Sequence, residues 1–315
     1  MAEQRALEVR PVNAGKPVGN IYYGTSSWTD KTLIASKRFY PSAVSSAEDR
    51  LRFYAEHFPF VEVDSTYYAL PSERNAALWV ERTPSHFVFN VKAFGMLTQH
   101  PVSVRSLPGR VREELPKSEL DKQRLYPKDF PEEARDLVWS MFASAIEPLA
   151  AAGKLGAVLF QFPRWFVRSR KSFDYLRELG ERVTYPVAVE FRGGGWMDEG
   201  KRESTLEQLE ELGFAYVVVD EPQGFKSSVP PVVACTSPEL AIIRFHGRNA
   251  ETWEKPGLTA AERFRYLYSE DELREWVGPA RELAGQAKRV QLLMNNCYQD
   301  YGVRNAAQIA GMLTG

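Results

Sequence analysis

Two carboxylates and a lysine in the first third of the chain have the residue types and spacing for proton-transfer chemistry. Glu62 and Asp64 lie in a run at 61–71 that predicts a β-strand. Because side chains alternate across a strand, the two acids share one face, about 7 Å apart. Repulsion between them favours one protonated carboxyl, while Lys92 on the next predicted strand favours a charged partner. Such a split in protonation suits an acid and a base that work together.

Further polar residues stand where other predicted strands end. We expect the catalytic residues to be Glu62, Asp64, Lys92, Glu190, Asp220 and His246. We expect the ligand-binding residues to be Trp28, Tyr67, Asn90, Gln161, Arg192, Trp196, Arg244, Arg248, Asn295 and Asn296. Within the second, third, fifth and seventh predicted strands the polar residues keep one parity, so each set projects to one side. If that side is the interior of a barrel, these groups converge on one opening.

Several of these residues also have a plain structural interpretation. An acid before a turn, such as Asp220, often caps local backbone, and Gln161 could satisfy a loop in the same way. Glu190 and Arg192 could form a structural ion pair. A lone histidine such as His246 is more often a hydrogen-bonded core residue than a catalyst, and the tryptophans could be ordinary packing. Both interpretations stay open for each residue.

The elements that must position these groups alternate regularly along the chain. β-prone runs are predicted at 21–28, 61–71, 87–93, 155–163, 187–192, 215–220, 240–247 and 289–296. Amphipathic segments between them predict helices, with N-caps at Ser72, Ser204 and Ser269. Most strands are apolar until their last residues, as parallel strands buried on both faces are. Eight such units in 315 residues predict an α/β fold, a single TIM-type (β/α)8 barrel with its site at the carboxyl ends of the strands.

The pattern divides the chain into three parts. Residues 1–20 are predicted to be a flexible leader, and residues 21–315 one barrel domain. A charged, proline-containing segment at 95–130 follows the third strand without a clean period. So long an irregular connection inside a compact domain is typical of a functional lid.

Composition limits the classes of function. The 40 Lys and Arg residues balance 41 acids, so no overall field recruits nucleic acid or a membrane. The N-terminal residues lack a signal-peptide core, and no apolar run approaches a membrane span. We therefore expect a cytoplasmic protein. Two cysteines, Cys235 and Cys297, are too few for a disulfide framework and are expected to be reduced.

The favoured hypothesis is an enzyme of hydrolase or lyase type that uses general acid/base chemistry at the barrel mouth. Arginines bind phosphate and carboxylate with two parallel hydrogen bonds, so Arg192, Arg244 and Arg248 predict a polar ligand that is anionic or phosphorylated. No cofactor is predicted. A divalent metal ion on the carboxylates Glu62, Asp64, Glu190 and Asp220 stays open by residue type.

Three more specific reactions rank below this hypothesis. A multi-metal nuclease needs several histidine and acid ligands, and only His246 among the histidines is well placed. A retaining glycosidase needs two carboxylates about 5 Å apart, and Glu62 with Glu190 could serve. A lyase that works through a Schiff base could use Lys92 as its nucleophile.

A second class of function is a non-catalytic protein that binds nucleic acid or nucleotides. The segment 95–130 mixes basic and aromatic side chains, which could grip a phosphate backbone. These residues are Arg105, Arg110, Arg112, Lys117, Lys122, Arg124, Tyr126 and Lys128. The same segment carries five acids between 113 and 129, which favours a solvated charged loop.

Ordered motifs along the chain resemble those of the YecE-like family, also called domain of unknown function 72. The similar segments are Gly24-Thr25-Ser26-Ser27-Trp28, Val61-Glu62-Val63-Asp64-Ser65-Thr66-Tyr67-Tyr68, Val91-Lys92-Ala93, Leu159-Phe160-Gln161-Phe162-Pro163, Val189-Glu190-Phe191-Arg192, Phe245-His246-Gly247-Arg248 and Asn295-Asn296. The resemblance runs from 21 to 313 and implies a TIM barrel. It implies no established reaction and no catalytic assignment.

Overall fold

A closed parallel β-barrel forms the centre of the protein in a computed structural model that describes residues 9–193 and 195–315. The strands of the described chain are β1 (Ile21–Thr25), β2 (Phe60–Val63), β3 (Val88–Lys92), β4 (Val102–Ser103), β5 (Arg124–Leu125), β6 (Leu155–Gln161), β7 (Val187–Glu190), β8 (Ala215–Asp220), β9 (Ala241–Phe245) and β10 (Val290–Met294). The short strands β4 and β5 belong to the insertion at 95–130 and form a separate sheet. Around the barrel the order is β1, β10, β9, β8, β7, β6, β3, β2. The predicted TIM-type barrel is confirmed, and all eight predicted strand runs contribute a barrel strand.

Helices connect the strands and cover the outside of the barrel. They are α1 (Lys31–Ser36), α2 (Ala47–His57), α3 (Glu73–Glu81), α4 (Gly109–Glu113), α5 (Lys117–Leu120), α6 (Glu132–Ala151), α7 (Arg170–Arg182), α8 (Arg202–Glu211), α9 (Ala260–Arg263), α10 (Glu270–Arg274), α11 (Val277–Ala284) and α12 (Tyr301–Thr314). Ser72 and Ser269 cap their helices as predicted. The predicted cap at Ser204 is wrong because α8 begins earlier, and the Ser204 hydroxyl instead donates to the carbonyl of Lys201.

The second strand is shorter than its sequence pattern predicts. β2 ends at Val63, and Asp64 already has right-handed helical backbone angles before a 3-10 turn at Ser65–Tyr67. The Thr66 hydroxyl bonds to the carbonyls of Val63 and Lys92, which ties this turn to the end of β3. The prediction that Asp64 shares a strand face with Glu62 is therefore wrong.

The insertion at 95–130 carries short regular elements. A 3-10 turn at Gly95–Thr98 follows β3 directly, and β4 pairs with β5 in an antiparallel hairpin. Val111 and Leu125 are fully buried, so the segment has apolar anchors of its own. These elements form because apolar residues recur among the prolines and charged residues of the segment. The apolar residues are too far apart to show one clear period in the sequence.

The predicted leader falls partly on residues 1–8, which lie outside the described residues. Residues 13–15 form a 3-10 turn beside the barrel. The Tyr23 hydroxyl of β1 lies 2.5 Å from the carbonyl oxygen of Val12, and Val12 packs on the core. Contacts with β1 therefore hold residues 12–16.

The barrel interior combines a small apolar cluster with a buried amide pair. Phe60, Val88 and Leu293 form the apolar cluster. The side-chain amides of Asn90 and Gln291 exchange two hydrogen bonds of 2.7 and 3.1 Å. A Cβ at Gly156 would lie 2.5 Å from Oδ1 of Asn90, so only glycine leaves room for this amide pair. Asn90 thus lies inside the barrel, below the mouth where a ligand was predicted.

Candidate active site

Arg244 occupies the centre of the barrel. Its side chain is 1% exposed, and Nη1 donates to Oε2 of Glu190 at 2.9 Å. Nη2 lies 2.5 Å from Oε1 of Glu62 and 3.4 Å from Oδ1 of Asn295. β9 alternation directs Arg244 inward, and an arginine that deep in the protein requires paired acids. Lys92, expected as the partner of the Glu62 and Asp64 pair, therefore does not bind Glu62, because the arginine of a more distant strand reaches that acid.

His246 extends the network in its neutral form. Asn295 offers Oδ1 to Arg244, so its Nδ2 faces Nδ1 of His246 at 2.8 Å and donates to it. The proton of the imidazole then lies on Nε2, which donates to Oε1 of Glu190 at 2.9 Å. Burial lowers the pKa of His246 to about 3. At neutral pH this side chain is a fixed hydrogen-bond donor.

Glu190 is an ionised hub whose two oxygens are fully engaged. Its Oε1 accepts from Nε2 of Gln161 at 2.7 Å as well as from His246. Burial opposes ionisation, but Arg244, His246 and Arg192 hold the pKa of this carboxyl well below its usual range. At Glu62 the effect of burial prevails, and the pKa of this carboxyl is raised although Arg244 acts to lower it. Oε2 of Glu62 has no hydrogen-bond partner among the described residues.

Lys92 lies above this buried network, at the end of β3 and partly exposed. Its Nζ donates to Oε1 of Gln161 at 2.9 Å and lies 4.9 Å from the centre of the Tyr67 ring. Within the described part of the chain no carboxylate lies within 4.0 Å of it. Burial, with Arg244 next, lowers the pKa of Lys92 to about 8. An ammonium has three donors, so two of them remain for a ligand or water.

Asp64 stands beside Lys92 at the mouth. It is partly exposed, and its side chain makes no hydrogen bond to another residue in the region the structure describes. Burial raises its pKa to about 6, although Lys92 acts in the opposite direction. Two partly exposed groups that titrate on either side of neutral pH thus lie near each other at the carboxyl end of the barrel.

Glu221 is a site residue that the sequence reasoning missed. The register pairs Val219 with Arg244, so Val219 faces inward and Asp220 outward. The next residue, Glu221, turns back toward the mouth, where its Oε2 lies 3.3 Å from Nη1 of Arg192. Burial raises the pKa of Glu221 to about 7. The sequence of β8 could have indicated the inward position of Glu221. Val217 and Val219 face inward, and the next residue of the same alternation is 221.

Asp220 and Arg248 form a separate cluster outside the barrel. Asp220 accepts from Nε of Arg248 at 3.0 Å and from the indole of Trp276 at 3.0 Å. Arg248 also bonds Glu275 at 2.8 Å. Gly247 has a φ of +87°, which turns the chain after His246. Arg248 therefore does not continue the alternation of β9 that directs Arg244 and His246 inward. The structure therefore does not bring this predicted pair to the central site.

Three other predicted ligand contacts lie away from the mouth. Trp196 is fully buried and stacks on Phe191 with ring centres 4.2 Å apart, so it offers no free wall. Trp28 is 8% exposed and packs edge-on against Trp79, outside the barrel. The Asn296 amide donates to the carbonyl of Tyr266 and to Asn305 of α12. All three residues connect the barrel to its outer layer.

Other aromatic side chains line the mouth instead. Tyr67 packs against His100 at 5.2 Å, and His100 against Trp165 at 5.6 Å. Trp165 is 57% exposed and Tyr68 65%. Tyr67 was predicted as a contact, whereas His100 and Trp165 stand in loops where no periodicity marks them. The insertion thus supplies one wall of the mouth through His100.

His100 is also neutral. The Thr98 hydroxyl donates its only proton to the carbonyl of Gly95, so it accepts from Nδ1 of His100 at 2.9 Å. Nε2 of His100 is then an acceptor. Burial, with Lys92 and Arg192 nearby, lowers the pKa of His100 to about 4.

A metal site is not apparent in the described ranges. No group of three or more His, Cys, Asp or Glu side chains stands in an arrangement that could hold an ion there. The arginine of the network occupies the space between Glu62 and Glu190. No helix within 9–193 or 195–315 has the length and apolar character to cross a membrane.

The fold and these motifs together match a known family. A family described as a protein of unknown function, DUF72, matches residues 22–315. The chain belongs to the DUF72 family. The resemblance read from its motifs is thereby confirmed.

Relatives of this DUF72 protein match it nearly end to end. The UPF0759 protein YunF of Bacillus subtilis (strain 168) is 33% identical over 297 residues, which is 93% of this chain and 94% of that protein. A DUF72 family crystal structure from Thermotoga maritima MSB8 is 31% identical, with a TM-score of 0.72 and coverage of 94% and 99%. One from Enterococcus faecalis V583 is 26% identical, with a TM-score of 0.75 and coverage of 94% and 96%. These DUF72 relatives carry no activity in their names.

Proposed function

We propose that this protein is an enzyme that performs general acid/base chemistry on a small anionic ligand at the carboxyl end of the barrel. The observation that carries the proposal is a pair of titratable groups, Asp64 and Lys92, that have no ionic partner within salt-bridge reach among the described residues. They stand above a network in which Arg244 binds Glu62 and Glu190. The barrel fold supports it as well, since chemistry in TIM barrels takes place at this end.

The two groups suit proton transfer near neutral pH. The pKa of Asp64 is raised by burial to about 6, and that of Lys92 is lowered by burial to about 8. A catalytic acid or base works best when its pKa lies near the working pH. Between these values Asp64 accepts a proton and Lys92 donates one, so the pair provides both halves of a proton relay.

The cationic groups at the mouth support an anionic ligand. Arg192 is 18% exposed, and its guanidinium carbon lies 5.1 Å from the centre of the Trp253 ring, which holds the side chain in place. Its ionic contacts to Glu190 and Glu221 are long, at 3.5 and 3.3 Å. A phosphate or carboxylate near Lys92 and Arg192 would meet donors that are only weakly engaged.

The buried network would position these groups. Gln161 spans Lys92 and Glu190, and its amide orientation is set because Glu190 can only accept. Glu190 itself is fixed by Arg244 and His246. With both oxygens engaged, Glu190 is poorly suited to act as the nucleophile of a glycosidase, which leaves proton transfer as the better supported chemistry.

The test is a turnover screen with purified protein and a mixture of phosphorylated and carboxylated metabolites, read by mass spectrometry for consumed and formed masses. We expect one class of compound to be converted. Asp64→Asn should lower that rate about 100-fold or more. The control Asp174→Asn, on the exposed face of α7, should leave it unchanged. Ligand binding without conversion, or conversion that survives in Asp64→Asn, would overturn the proposal.

A further inference from the structure

We propose that Lys92 is a nucleophile that forms an imine with a carbonyl ligand at the barrel mouth, so that the substrate is an anionic aldehyde or ketone. This inference rests on the proposed acid/base function of the same site and names its substrate class.

The first support is the unusual freedom of the Lys92 amine. It stands near Glu62, Glu190 and Asp64, yet its one side-chain hydrogen bond within the described residues is to Gln161. The acids nearest the centre are engaged by Arg244, which leaves the amine free of a tight ion pair. A lysine kept out of an ion pair and partly desolvated loses its proton more easily.

Lys154 provides an internal comparison. It is 5% exposed, and burial lowers its pKa too. However, its Nζ donates to the carbonyls of Val80 and Thr83 at 2.8 and 2.7 Å and to the Thr83 hydroxyl at 2.9 Å. All three donors of that ammonium are occupied, so Lys154 is a structural lysine. Lys92 is partly exposed, and two of its donors are unfilled by any residue that the structure describes.

The surroundings of Lys92 suit the steps of imine formation. The neutral amine attacks the carbonyl carbon, the new C–N bond forms, and the carbonyl electron pair moves to oxygen, which takes up a proton that the amine nitrogen gives up. A second proton from the nitrogen reaches the hydroxyl, which leaves as water with the C–O bonding pair, and the nitrogen lone pair forms the C=N bond. Asp64, partly exposed beside the amine, carries these protons, and none is gained or lost overall.

The walls of the mouth fit a flat, charged carbonyl compound. The Tyr67 ring lies under the amine, and His100 packs on that ring. The free Nε2 of His100 can accept from a ligand hydroxyl. Arg192 lies near enough to His100 and Glu221 for its charge to lower the pKa of both groups. Its guanidinium supplies a cation for the ligand's anionic group.

The experiment is reductive trapping of the full-length protein with glyoxylate and sodium cyanoborohydride at pH 7, followed by peptide mass mapping. Glycolaldehyde is the uncharged counterpart of this probe. We expect Lys92 to be modified at least about tenfold faster than the exposed Lys288, because burial lowers the pKa of the Lys92 amine. We expect Lys154 to stay unmodified. Glyoxylate should label Lys92 faster than glycolaldehyde does, whereas Lys288 should show no such preference.

The outcomes separate this inference from the function on which it rests. Labelling of Lys92 at the rate of Lys288 would overturn the imine, even if Asp64→Asn still abolished turnover in the screen. Selective labelling of Lys92 together with full turnover in Asp64→Asn would retain the nucleophile and overturn the acid/base pair. Lys92→Arg keeps the positive charge and should lose both the label and the turnover. Retained turnover in that variant would overturn the imine.

Discussion

Nη2 of Arg244 lies 2.5 Å from Oε1 of Glu62 in the interior of the barrel, and both side chains are at most 1% exposed. Breaking a buried ion pair leaves one charge without compensation, which costs far more than the pair itself contributes.

We therefore predict that Glu62→Gln lowers the free energy of unfolding by about 3 kcal/mol, because Arg244 keeps its charge and loses an anion. Chemical denaturation at pH 7 measures this. Glu239→Gln is the matched control, since Glu239 bonds Lys288 at 2.7 Å on the surface and should change stability by less than about 1 kcal/mol. Equal effects of the two substitutions would contradict the central role of the Glu62–Arg244 pair.

The second prediction concerns Lys92. Because burial lowers its pKa to about 8, the folded state disfavours the charged amine at pH 7. Lys92→Met should therefore stabilise the protein by about 2 kcal/mol at that pH. The wild-type penalty is complete below the folded pKa and fades as pH rises toward the unfolded value, so the gain should shrink above pH 8. Lys154→Met should instead destabilise at pH 7, as it loses three hydrogen bonds. A destabilised Lys92→Met protein would mean that the amine is structural.

The third prediction contrasts two tryptophans. Trp196 is fully buried, so Trp196→Ala should cost about 3–5 kcal/mol of stability. Trp165 is 57% exposed at the mouth, and Trp165→Ala should change stability by about 0.5 kcal/mol or less while weakening ligand binding. Thermal unfolding and the turnover screen measure the two effects. An unchanged KM in Trp165→Ala would contradict the prediction that Trp165 contacts the ligand.

The fourth prediction uses the raised pKa of Glu221, about 7 through burial. In the folded state this acid keeps its proton to higher pH, so its contribution to stability is complete at low pH and is lost as pH rises through 7. Glu221→Gln should flatten the stability profile between pH 5 and 7. Asp220→Asn, outside the barrel, should alter stability and leave glyoxylate labelling of Lys92 unchanged. Altered labelling in Asp220→Asn would contradict the separation of the two clusters.

The alternation of side chains along single strands was predictable from the sequence, and it placed Lys92, Glu190, Arg244 and His246 in the interior. The errors in the predicted site residues arise at strand ends, where a difference of one residue moves a side chain from the inner to the outer face of the barrel. β8 directs Asp220 outward and Glu221 inward, and β2 stops before Asp64.

Contacts between distant strands were harder to predict than the strands themselves. The choice of Arg244 over Lys92 as the partner of Glu62 depends on how the closed barrel brings β9 toward β2, which no local pattern encodes. The same holds for His100 and Trp165, which reach the mouth from irregular loops.

The titration of Lys92 is the most direct test of this interpretation of the mouth. Reductive ¹³C-methylation followed by NMR reports the pKa of each lysine, with Lys92→Arg to assign the resonance. We predict a pKa of about 8 for Lys92, well below the usual value of a lysine side chain. A value above 10, as in a solvated or ion-paired lysine, would contradict both the acid/base pair and the nucleophile.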